Sequence, residues 1–489
     1  MTHFAQACGV HDAPRAAACE AALRKMREWG LARVRVAWCD MHGVLRGKTL
    51  MLGAAADALL GGVSMVSTIL LKDTSDRTAY PVFEPGALDE LPGFGQANNL
   101  MLLPDPTSLC ELPWASGTGW MRSQAWFADA TPLPVDPRRV LQSALALLAD
   151  AGYGLRCGLE VEFHIYRIVN DQLDPQLAAW PGEPPELALL HPGYNLLTET
   201  HADMAEPALR VVQSTAQALG LPLRSLEIEL GPSQVEAVFD ATDALTAADQ
   251  MVLFRNGVRQ ALRRAGYYAS FVCLPPFPNA MASGWHLHQS LTRLADGGNA
   301  FMRAAPAPGT TPGDALHTLS DEGAHWLGGL LAHARGAAIF GTPTINGFGR
   351  FKPNAMAPRS VLWARDNRGA MLRVLGGSGD AATRIENRVG EPMANPYLYI
   401  ASQIHCGLSG LRQQLDPGPA TDSPYAQGTH LPAGLGEALE ALQGDATLRQ
   451  AFGAPLTSLY TRIKRSELER YAAATDSAEW VRREYFSRC

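Results

Sequence analysis

The spacing of hydrophobic residues divides the chain into a first region of short strands and a second region in which longer helices and strands alternate. Residues 17–29 carry apolar side chains at helical spacing, whereas residues 32–40 alternate as a half-buried strand does. Short strands are predicted as far as residue 103, and a proline-containing connection follows them. We therefore expect a small mixed, strand-rich domain over residues 1–115.

The second region, residues 116–489, is predicted to be a large domain that combines strands with helices. Asp136–Pro137 and Asn395–Pro396 each place an N-capping side chain before a proline, which is typical of a helix start. The tail from residue 432 onward has the periodicity of amphipathic helices. Together these patterns predict an α+β protein. The strands are predicted at residues 119–127, 158–166, 225–240, 268–274 and 284–293.

Composition narrows the class of protein. The 489 residues are 47% hydrophobic, enough for large cores, and a net charge of −7 argues against nucleic acid or an anionic membrane as partner. The eight cysteines are scattered without a CxxC pair, which indicates reduced thiols. The N-terminus lacks a signal-peptide pattern, and the longest apolar stretch, residues 59–71, is too short to cross a bilayer. We expect a cytoplasmic protein.

Residues 341–396 concentrate basic side chains in a chain that is only 18% charged. Guanidinium groups hold anionic oxygens in fixed bidentate geometry, which suits carboxylate and phosphate ligands. The alternative is a solvated basic face, the usual role of a charge run. The alternation around Met371–Val374 argues against that alternative, because it is typical of a strand with one wet face. The cluster comprises Arg350, Lys352, Arg359, Arg365, Arg368, Arg373, Arg384 and Arg388.

Four predicted strands carry polar side chains two residues apart, so that both members of a pair lie on one face. A single pair is more often a solvent-facing edge than a ligand set. Together they predict a buried acidic site offset by cations, and oxygen-rich ligation with an imidazole favours Mg²⁺ or Mn²⁺ over zinc. Divalent cations beside many arginines indicate phosphoryl transfer from a nucleotide. The residues concerned are Glu160 with Glu162, Glu227 with Glu229, Gln234 with Glu236, His286 with His288, and the single Glu386.

From about residue 30 to the C-terminus, the chain resembles the glutamine synthetase superfamily in the order and spacing of several motifs. The resemblance implies a small N-terminal β-grasp domain followed by a catalytic domain with an antiparallel sheet flanked by helices. The motifs are residues 158–163 (GLEVEF), 229–236 (ELGPSQVE), 283–290 (SGWHLHQS), the arginine segments within 367–388, and 394–397 (ANPY).

The resemblance also implies a role for each matching residue. The reaction would use ATP and two or more Mg²⁺ or Mn²⁺ ions to activate glutamate as an acyl phosphate, which an amine then attacks. The expected metal ligands are Glu160, His286 and Glu386 on the nucleotide side, and Glu162, Glu229 and Glu236 beside the acid substrate. The expected ATP contacts are His288, Ser290, Arg368, Arg373 and Arg384. Arg350 and Arg388 are expected to grip carboxylates of the acid, and Arg368, Glu229 and Arg388 to act in catalysis.

The departures from the family pattern concern the amine. Glutamine synthetases bind ammonium in an anionic pocket that uses an aspartate from the neighbouring subunit's N-terminal domain and a glutamate on a flap loop. Here the first segment contains Met65 and Val66 without an acid. The flap corresponds to residues 350–358, in which Met356 stands at the position of the glutamate, although Tyr194 retains the family's tyrosine. An apolar pocket favours an amine with a hydrocarbon group. We therefore expect the chain to be closest in character to γ-glutamyl-amide ligases that use hydrophobic amines.

The missing base favours an arylamine, which is neutral at neutral pH, over a small alkylamine, which arrives protonated. The alternative for Met356 is a residue that merely packs, with Glu229 accepting the proton. A polyamine is less favoured because the pocket lacks acids. An ordinary glutamine synthetase and a non-catalytic structural or sensing homologue also stay open. Met281–Ala282 replaces the family's Asn-Gly pair near the glutamate amino group, and glutamate is expected on the strength of Arg350 and Arg388.

The resemblance further implies a homo-oligomer with active sites between subunits, in two stacked hexameric rings. The helical tail over residues 479–486 is a candidate for the contact between rings, although a simple surface helix would have the same pattern.

Overall fold

The computed structural model describes residues 3–352, 356–425 and 428–488. Residues 353–355 of the predicted flap lie outside these ranges. The strands are β1 (Arg33–Cys39), β2 (Leu45–Met51), β3 (Val63–Val66), β4 (Asn99–Pro104), β5 (Cys110–Glu111), β6 (Thr118–Phe127), β7 (Tyr153–Asn170), β8 (Glu186–Leu189), β9 (Leu223–Ile228), β10 (Gln234–Phe239), β11 (Thr242–Asp243), β12 (Tyr267–Ser270), β13 (Trp285–Arg293), β14 (Trp363–Arg365), β15 (Leu372–Leu375) and β16 (Arg384–Asn387). The helices are α1 (Phe4–Ala7), α2 (Ala13–Glu28), α3 (Leu52–Gly61), α4 (Pro137–Asp150), α5 (Glu199–Ala218), α6 (Ala244–Arg264), α7 (Asp321–Ala332), α8 (Ala334–Gly341), α9 (Pro396–Gln413), α10 (Leu435–Gly444), α11 (Ala446–Phe452), α12 (Ala454–Ala472) and α13 (Ser477–Val481).

The N-terminal sheet has six strands in the order β2–β1–β6–β4–β3, with β5 paired to β6. β6 is central, because it runs parallel to β1 on one side and antiparallel to β4 on the other. A domain boundary at residue 115 would separate β6 from both partners. The strand that we expected to open the second domain thus completes the first sheet, and we place the boundary between β6 and α4.

The second sheet has ten strands and confirms the α+β class. Its main path is β14–β15–β16–β13–β7–β10–β9, and β8, β11 and β12 also pair with β7. β7 is 18 residues long, which lets different stretches of it pair with different strands. The pairings are antiparallel apart from that between β14 and β15, which is parallel.

Helix α9 forms the centre of the hydrophobic layer behind this sheet. Residues 396–410 are buried throughout, and α4, α6 and α7 pack against the helix. Its N-cap is Asn395, whose side chain accepts hydrogen bonds from the backbone N–H groups of Tyr397 and Leu398, as the sequence predicted. The Nδ2 atom of Asn395 also donates to the backbone oxygen of Asp40 at 2.9 Å. The helix start is therefore tied to the first domain.

The local structure differs from the predictions at two points. Within the region where short strands are predicted as far as residue 103, β3 ends at Val66 and the chain continues as a 3-10 helix over Ser67–Leu71. The strand around Arg373 has no wet face, because β15 is buried and the Arg373 side chain is paired with Asp366 and Glu386. Burial of this arginine depends on two carboxylates from other parts of the chain.

The C-terminal tail packs against its own chain. After α13, a π-helical turn over Arg482–Phe486 buries Tyr485 and Phe486 completely. Phe486 contacts the rings of Tyr166 and Phe277, and Tyr485 donates to Glu467. These aromatic groups were candidates for a contact between rings, but they are already used inside one chain.

The seven cysteines that the structure describes are free thiols. In the described ranges, no helix combines the length and the apolar character that a membrane crossing needs.

Candidate active site

The candidate site lies on one face of the ten-stranded sheet, where β7 runs between β10 and β13. The strand register places His286 opposite Glu160, and Glu236 opposite Glu162. Because side chains alternate along each strand, these four groups share one face. The pairs that the sequence placed on separate strands therefore meet in one cluster.

The imidazole of His286 lies among four carboxylates. Its Nδ1 atom is 3.5 Å from Glu160 Oε2, 3.8 Å from Glu386 Oε1 and 3.9 Å from Glu236 Oε1, while its Nε2 atom is 3.7 Å from Glu162 Oε1. These separations are too long for good hydrogen bonds. They are the spacing expected of ligand atoms that surround a cation.

Two overlapping groups of side chains could each hold a metal ion. Glu160, Glu236 and His286 form one group, and Glu160, His288 and Glu386 form the other, with the ligand atoms of each within 4.8 Å of one another. This grouping differs from the expected one. Glu162 and Glu229 belong to neither group, and His288, which was expected to contact ATP, takes a place in the second.

Burial and mutual repulsion make the metal-free cluster electrostatically unfavourable. Burial, and then the neighbouring carboxylate of Glu162, raise the pKa of Glu236 to about 10. Burial, and then Glu229, raise the pKa of Glu162 to about 7. Burial, and then the charge of Arg388, lower the pKa of His286 to about 4. A divalent cation would offset these costs by favouring the ionised carboxylates and the neutral imidazole.

The residues present fit such a cation. Oε1 of Glu236 is buried and has no hydrogen-bond partner among the described residues. Because buried polar atoms are usually paired, this oxygen is suited to bind a cation. The donor set is rich in carboxylate oxygen, with imidazole nitrogen and no thiolate, and such a set suits Mg²⁺ or Mn²⁺.

Not every carboxylate in the cluster has a raised pKa. Burial acts to raise the pKa of Glu160, but the neighbouring imidazoles of His286 and His288 lower it well below its usual range. Burial also acts to raise the pKa of Glu386, but the charges of His286 and Arg388 have the larger effect and lower it. These two carboxylates are therefore ionised before any cation binds.

Arginines close the Glu386 side of the site. Arg373 donates to Glu386 Oε2 at 3.1 Å and to Asp366 Oδ1 at 3.0 Å, and Arg388 donates to Glu386 Oε1. Arg384 donates from Nε to Nδ1 of His288 at 3.1 Å. The sequence interpretation missed Asp366, whose position directly before Asn367–Arg368 was the available signal.

Backbone carbonyl oxygens occupy the guanidinium group of Arg350. Only 5% of the residue is exposed, and its Nη atoms donate to the backbone oxygens of Arg388, Val389 and Gly390 at 2.8 to 3.2 Å. It therefore braces the backbone that carries Arg388. The expected grip of Arg350 on the acid substrate stays a prediction beside this supporting role.

The two other expected ATP contacts lie at the edges of the site. Ser290 follows His288 on the same face of β13 and is half-buried. Arg368 is exposed and lines an open cavity of about 470 Å³ together with Met356, Asp366 and Tyr425. Met356 belongs to the predicted flap, so this flap residue and Arg368 share one open space.

The residues expected around the amine are only partly accessible. Tyr194 is 56% exposed and has a left-handed backbone (φ 57°), and its hydroxyl donates to the backbone oxygen of Asn279 at 2.5 Å. Met356 is 65% exposed. Met65 and Val66 point to opposite faces of β3, so Val66 is 44% exposed whereas Met65, at 6%, lies in the hydrophobic core. Met65 is thus not presented to a substrate as expected.

Glu229 lies just after β9 and is half-buried. Burial raises its pKa, and the backbone N–H of Leu230 donates to its carboxylate at 3.2 Å. The backbone N–H of Tyr194 donates to the oxygen of Leu230 at 2.6 Å. The chain thus places the carboxylate of Glu229 next to the segment that carries Tyr194.

The chain is similar to known proteins over most of its length. Residues 134–483 match the family described as glutamine synthetase, catalytic domain. The chain is 37% identical over 488 residues to the γ-glutamylanilide synthase of Acinetobacter sp, with 96% of each chain covered. It is 29% identical over 458 residues to γ-glutamylethanolamide synthetase GlnA4 of Streptomyces coelicolor, covering 93% of this chain and 92% of the relative. A solved structure of a GmaS–ADP complex superimposes with a TM-score of 0.74 at 26% identity, covering 95% of this chain and 99% of that one.

Proposed function

Because the chain belongs to the glutamine synthetase family of ATP-dependent ligases, we propose that it joins the γ-carboxylate of glutamate to a hydrophobic amine, preferably an arylamine. The proposal rests above all on Met356, an exposed apolar side chain at the position where the family's ammonium pocket has a glutamate. An apolar wall favours a hydrocarbon group on the amine. The pocket also lacks the family's aspartate and flap glutamate, which favours a neutral amine over one that must be held as a cation.

The proposed reaction has two steps. First, an oxygen of the γ-carboxylate attacks the γ-phosphorus of ATP, and the bond to ADP breaks. Second, the amine nitrogen attacks the acyl carbon of the γ-glutamyl phosphate, phosphate leaves, and the nitrogen loses a proton. When bound, Mg²⁺ or Mn²⁺ held by the acidic cluster would neutralise charge on the phosphates.

The chain's own residues would position and neutralise the reacting groups. Arg373 and Arg384 lie on the Glu386 side, where they would bind the nucleotide phosphates, and exposed Arg368 would stabilise the phosphoryl group in transfer. Arg388, braced from behind by Arg350, would orient the acid. Glu229 is the proposed base, because burial raises its pKa toward the range in which a carboxylate accepts protons efficiently.

A glutamine synthetase that uses ammonium is the second candidate. It requires Glu229 to supply both the attraction for ammonium and the base.

We also propose a cytoplasmic ring oligomer in which a partner subunit's N-terminal domain adjoins the active site. The exposed Val66 on β3 of one subunit would then line the amine pocket of the neighbouring subunit.

Phosphate release from ATP tests the proposal, with Mg²⁺ or Mn²⁺, glutamate and one amine at a time. Aniline, ethylamine, isopropylamine, putrescine and ammonium form the panel. Strong stimulation by aniline with little by ammonium supports the arylamine ligase. If ammonium equals or exceeds the other amines, the protein is a glutamine synthetase and the interpretation of Met356 is wrong.

A further inference from the structure

We propose that Gln234 is a positioning residue that holds Glu162 and the segment before β13 in place for the acid substrate and its metal ion. This inference rests on the proposed function. Gln234 is the first residue of β10 and only 2% exposed. It lies two residues before Glu236 and directly across from His164 on β7. Its side chain reaches three separate segments of the chain.

The amide of Gln234 has its orientation set by its neighbours. Oε1 accepts a hydrogen bond from the backbone N–H of Gly231 at 2.9 Å. Nε2 lies 3.1 Å from Ser283 Oγ and 3.3 Å from both the Ala282 backbone oxygen and Glu162 Oε2. Two hydrogens are shared among these three acceptors, which explains the long distances. Since one side of the amide faces a donor and the other faces oxygens, only one orientation satisfies it.

The two carboxylate oxygens of Glu162 have different neighbours. Oε2 accepts from the backbone N–H of Gly284 at 2.7 Å and from Gln234. Oε1 is left facing His286, whose Nε2 atom is 3.7 Å away. Gln234 thus helps to aim one carboxylate oxygen at His286, which belongs to one of the two groups that could hold a metal ion. A neutral amide does this without adding charge to an already repulsive cluster.

The same amide is packed tightly between the turn after Glu229 and the segment around Met281. A Cβ atom added to Gly231 would lie 2.5 Å from Oε1 of Gln234 and 2.7 Å from Cβ of Met281. Any shift of Gln234 therefore moves the turn, the Met281 segment and Glu162 together. In the described part of the chain, its hydrogen bonds reach none of the arginines on the Glu386 side. Gln234 is thus expected to act on the acid side of the site and not on the nucleotide side.

The test is Gln234→Leu, which removes the donors but retains most of the volume. The matched control is Gln289→Leu. Gln289 is also a buried glutamine of the same sheet. It accepts a hydrogen bond from Trp326 and donates one to Gln403. Because it directly follows His288 on β13, its side chain lies on the other face of the strand. Both variants lose two or more buried hydrogen bonds, so both are expected to melt at lower temperature.

The first readout is Mn²⁺ binding to the metal-free protein by calorimetry. Loss of an outer-shell partner typically weakens metal affinity by about 10- to 100-fold, and we expect this for Gln234→Leu but not for Gln289→Leu. The second readout is kinetic: the KM for glutamate rises at least tenfold while the KM for ATP changes less than twofold. Equal Mn²⁺ affinity in wild type and Gln234→Leu, or equal rises of both KM values, overturns the proposal.

If Gln234→Leu does not fold, Gln234→Asn takes its place. It retains the amide but is too short to reach Glu162 and Gly231 together, and the same two outcomes decide. The binding arm requires no turnover. If wild type shows no ligase activity with any amine, the proposed function fails while the Mn²⁺ comparison still decides whether Gln234 positions Glu162.

Discussion

The Nε2 atom of His288 lies 2.8 Å from Oε1 of Glu160. Arg384 donates to the other ring nitrogen, Nδ1, so in the neutral ring the proton lies on Nε2 and faces Glu160. Nε2 has no hydrogen-bond partner among the described residues, and in this form of the ring it must lose its proton before it can bind a cation. His288 lies near Glu160 and Glu386, with which it could hold a metal ion, and its expected contact to the nucleotide stays a prediction.

This relationship predicts the effect of Arg384→Leu. Without the guanidinium, the proton of His288 is no longer confined to Nε2, and the nucleotide loses a cationic partner. A hydrogen bond to a charged group contributes about 1.5–3 kcal/mol, so the KM for ATP is expected to rise about tenfold or more. Steady-state kinetics with varied ATP measures it, with Arg412→Leu at the end of α9 as control. A rise confined to the KM for glutamate would contradict the assignment.

The pKa of Glu162 predicts a pH-dependent stability of the metal-free protein. Its folded pKa, about 7, exceeds that of an ordinary glutamate because of burial and the carboxylate of Glu229. The folded state therefore binds the proton more tightly, and this contribution to stability is present below the ordinary glutamate pKa and lost as pH rises through about 7. Thermal melting from about pH 5 to about pH 7, between the ordinary glutamate pKa and the raised one, is expected to show a decline in wild type that is reduced in Glu162→Gln. Identical slopes in the two proteins would contradict it.

The same ionisation predicts that Mn²⁺ binding releases protons. The cation requires ionised carboxylates, whereas Glu162 and Glu236 are partly or wholly protonated at neutral pH without it, since their pKa values are about 7 and about 10. Mn²⁺ affinity is thus expected to increase with pH between 6 and about 8. Calorimetry in buffers of different ionisation enthalpy counts the released protons. An affinity independent of pH, together with a binding enthalpy independent of the buffer, would show that the cluster is ionised beforehand.

Met356→Glu is expected to shift the amine preference toward ammonium. The new carboxylate would attract the cation and repel the hydrocarbon group of an aryl- or alkylamine. A charge pair contributes about 1–4 kcal/mol at the dielectric of a partly exposed site, so the ratio of ammonium to aniline activity is expected to rise about tenfold or more. Met204→Glu, at a similarly exposed methionine of α5, is the control. An unchanged ratio in Met356→Glu would remove Met356 from the amine pocket.

Tyr485→Phe tests the anchoring of the C-terminal tail. The variant retains the ring but loses the hydroxyl, which donates to Glu467 and accepts from the backbone N–H of Ile345 at 3.1 Å. Leaving these buried groups unpaired is expected to cost about 1–3 kcal/mol in the free energy of unfolding. Denaturant melts measure it against Tyr471→Phe, whose ring also contacts Trp480. If both variants are as stable as wild type, the tail does not contribute to the stability of the fold.

The sequence by itself determined which residues can share a face and which chemistry they carry. The spacing of two within Glu160–Glu162 and His286–His288 places each pair on one side of a strand in any sheet. Helix starts at Asp136 and Asn395 were also predictable, because capping depends on a few neighbouring residues. The motif order was enough to identify the family, which the comparisons then confirmed.

Only the tertiary structure decided which strands are neighbours and which arginines are free to act. The alternation of residues 118–127 suits either domain, and long-range pairing with β1 and β4 assigns this strand to the first. Arg350 and Arg388 are both buried arginines in one basic stretch, yet backbone carbonyls occupy Arg350 while Arg388 reaches Glu386. Met65 and Val66 alternate along β3, and the packing of the sheet decides that Met65 meets the hydrophobic core while Val66 stays exposed. Local pattern determines the alternation, but the sheet register and the path of distant backbone determine what each face meets.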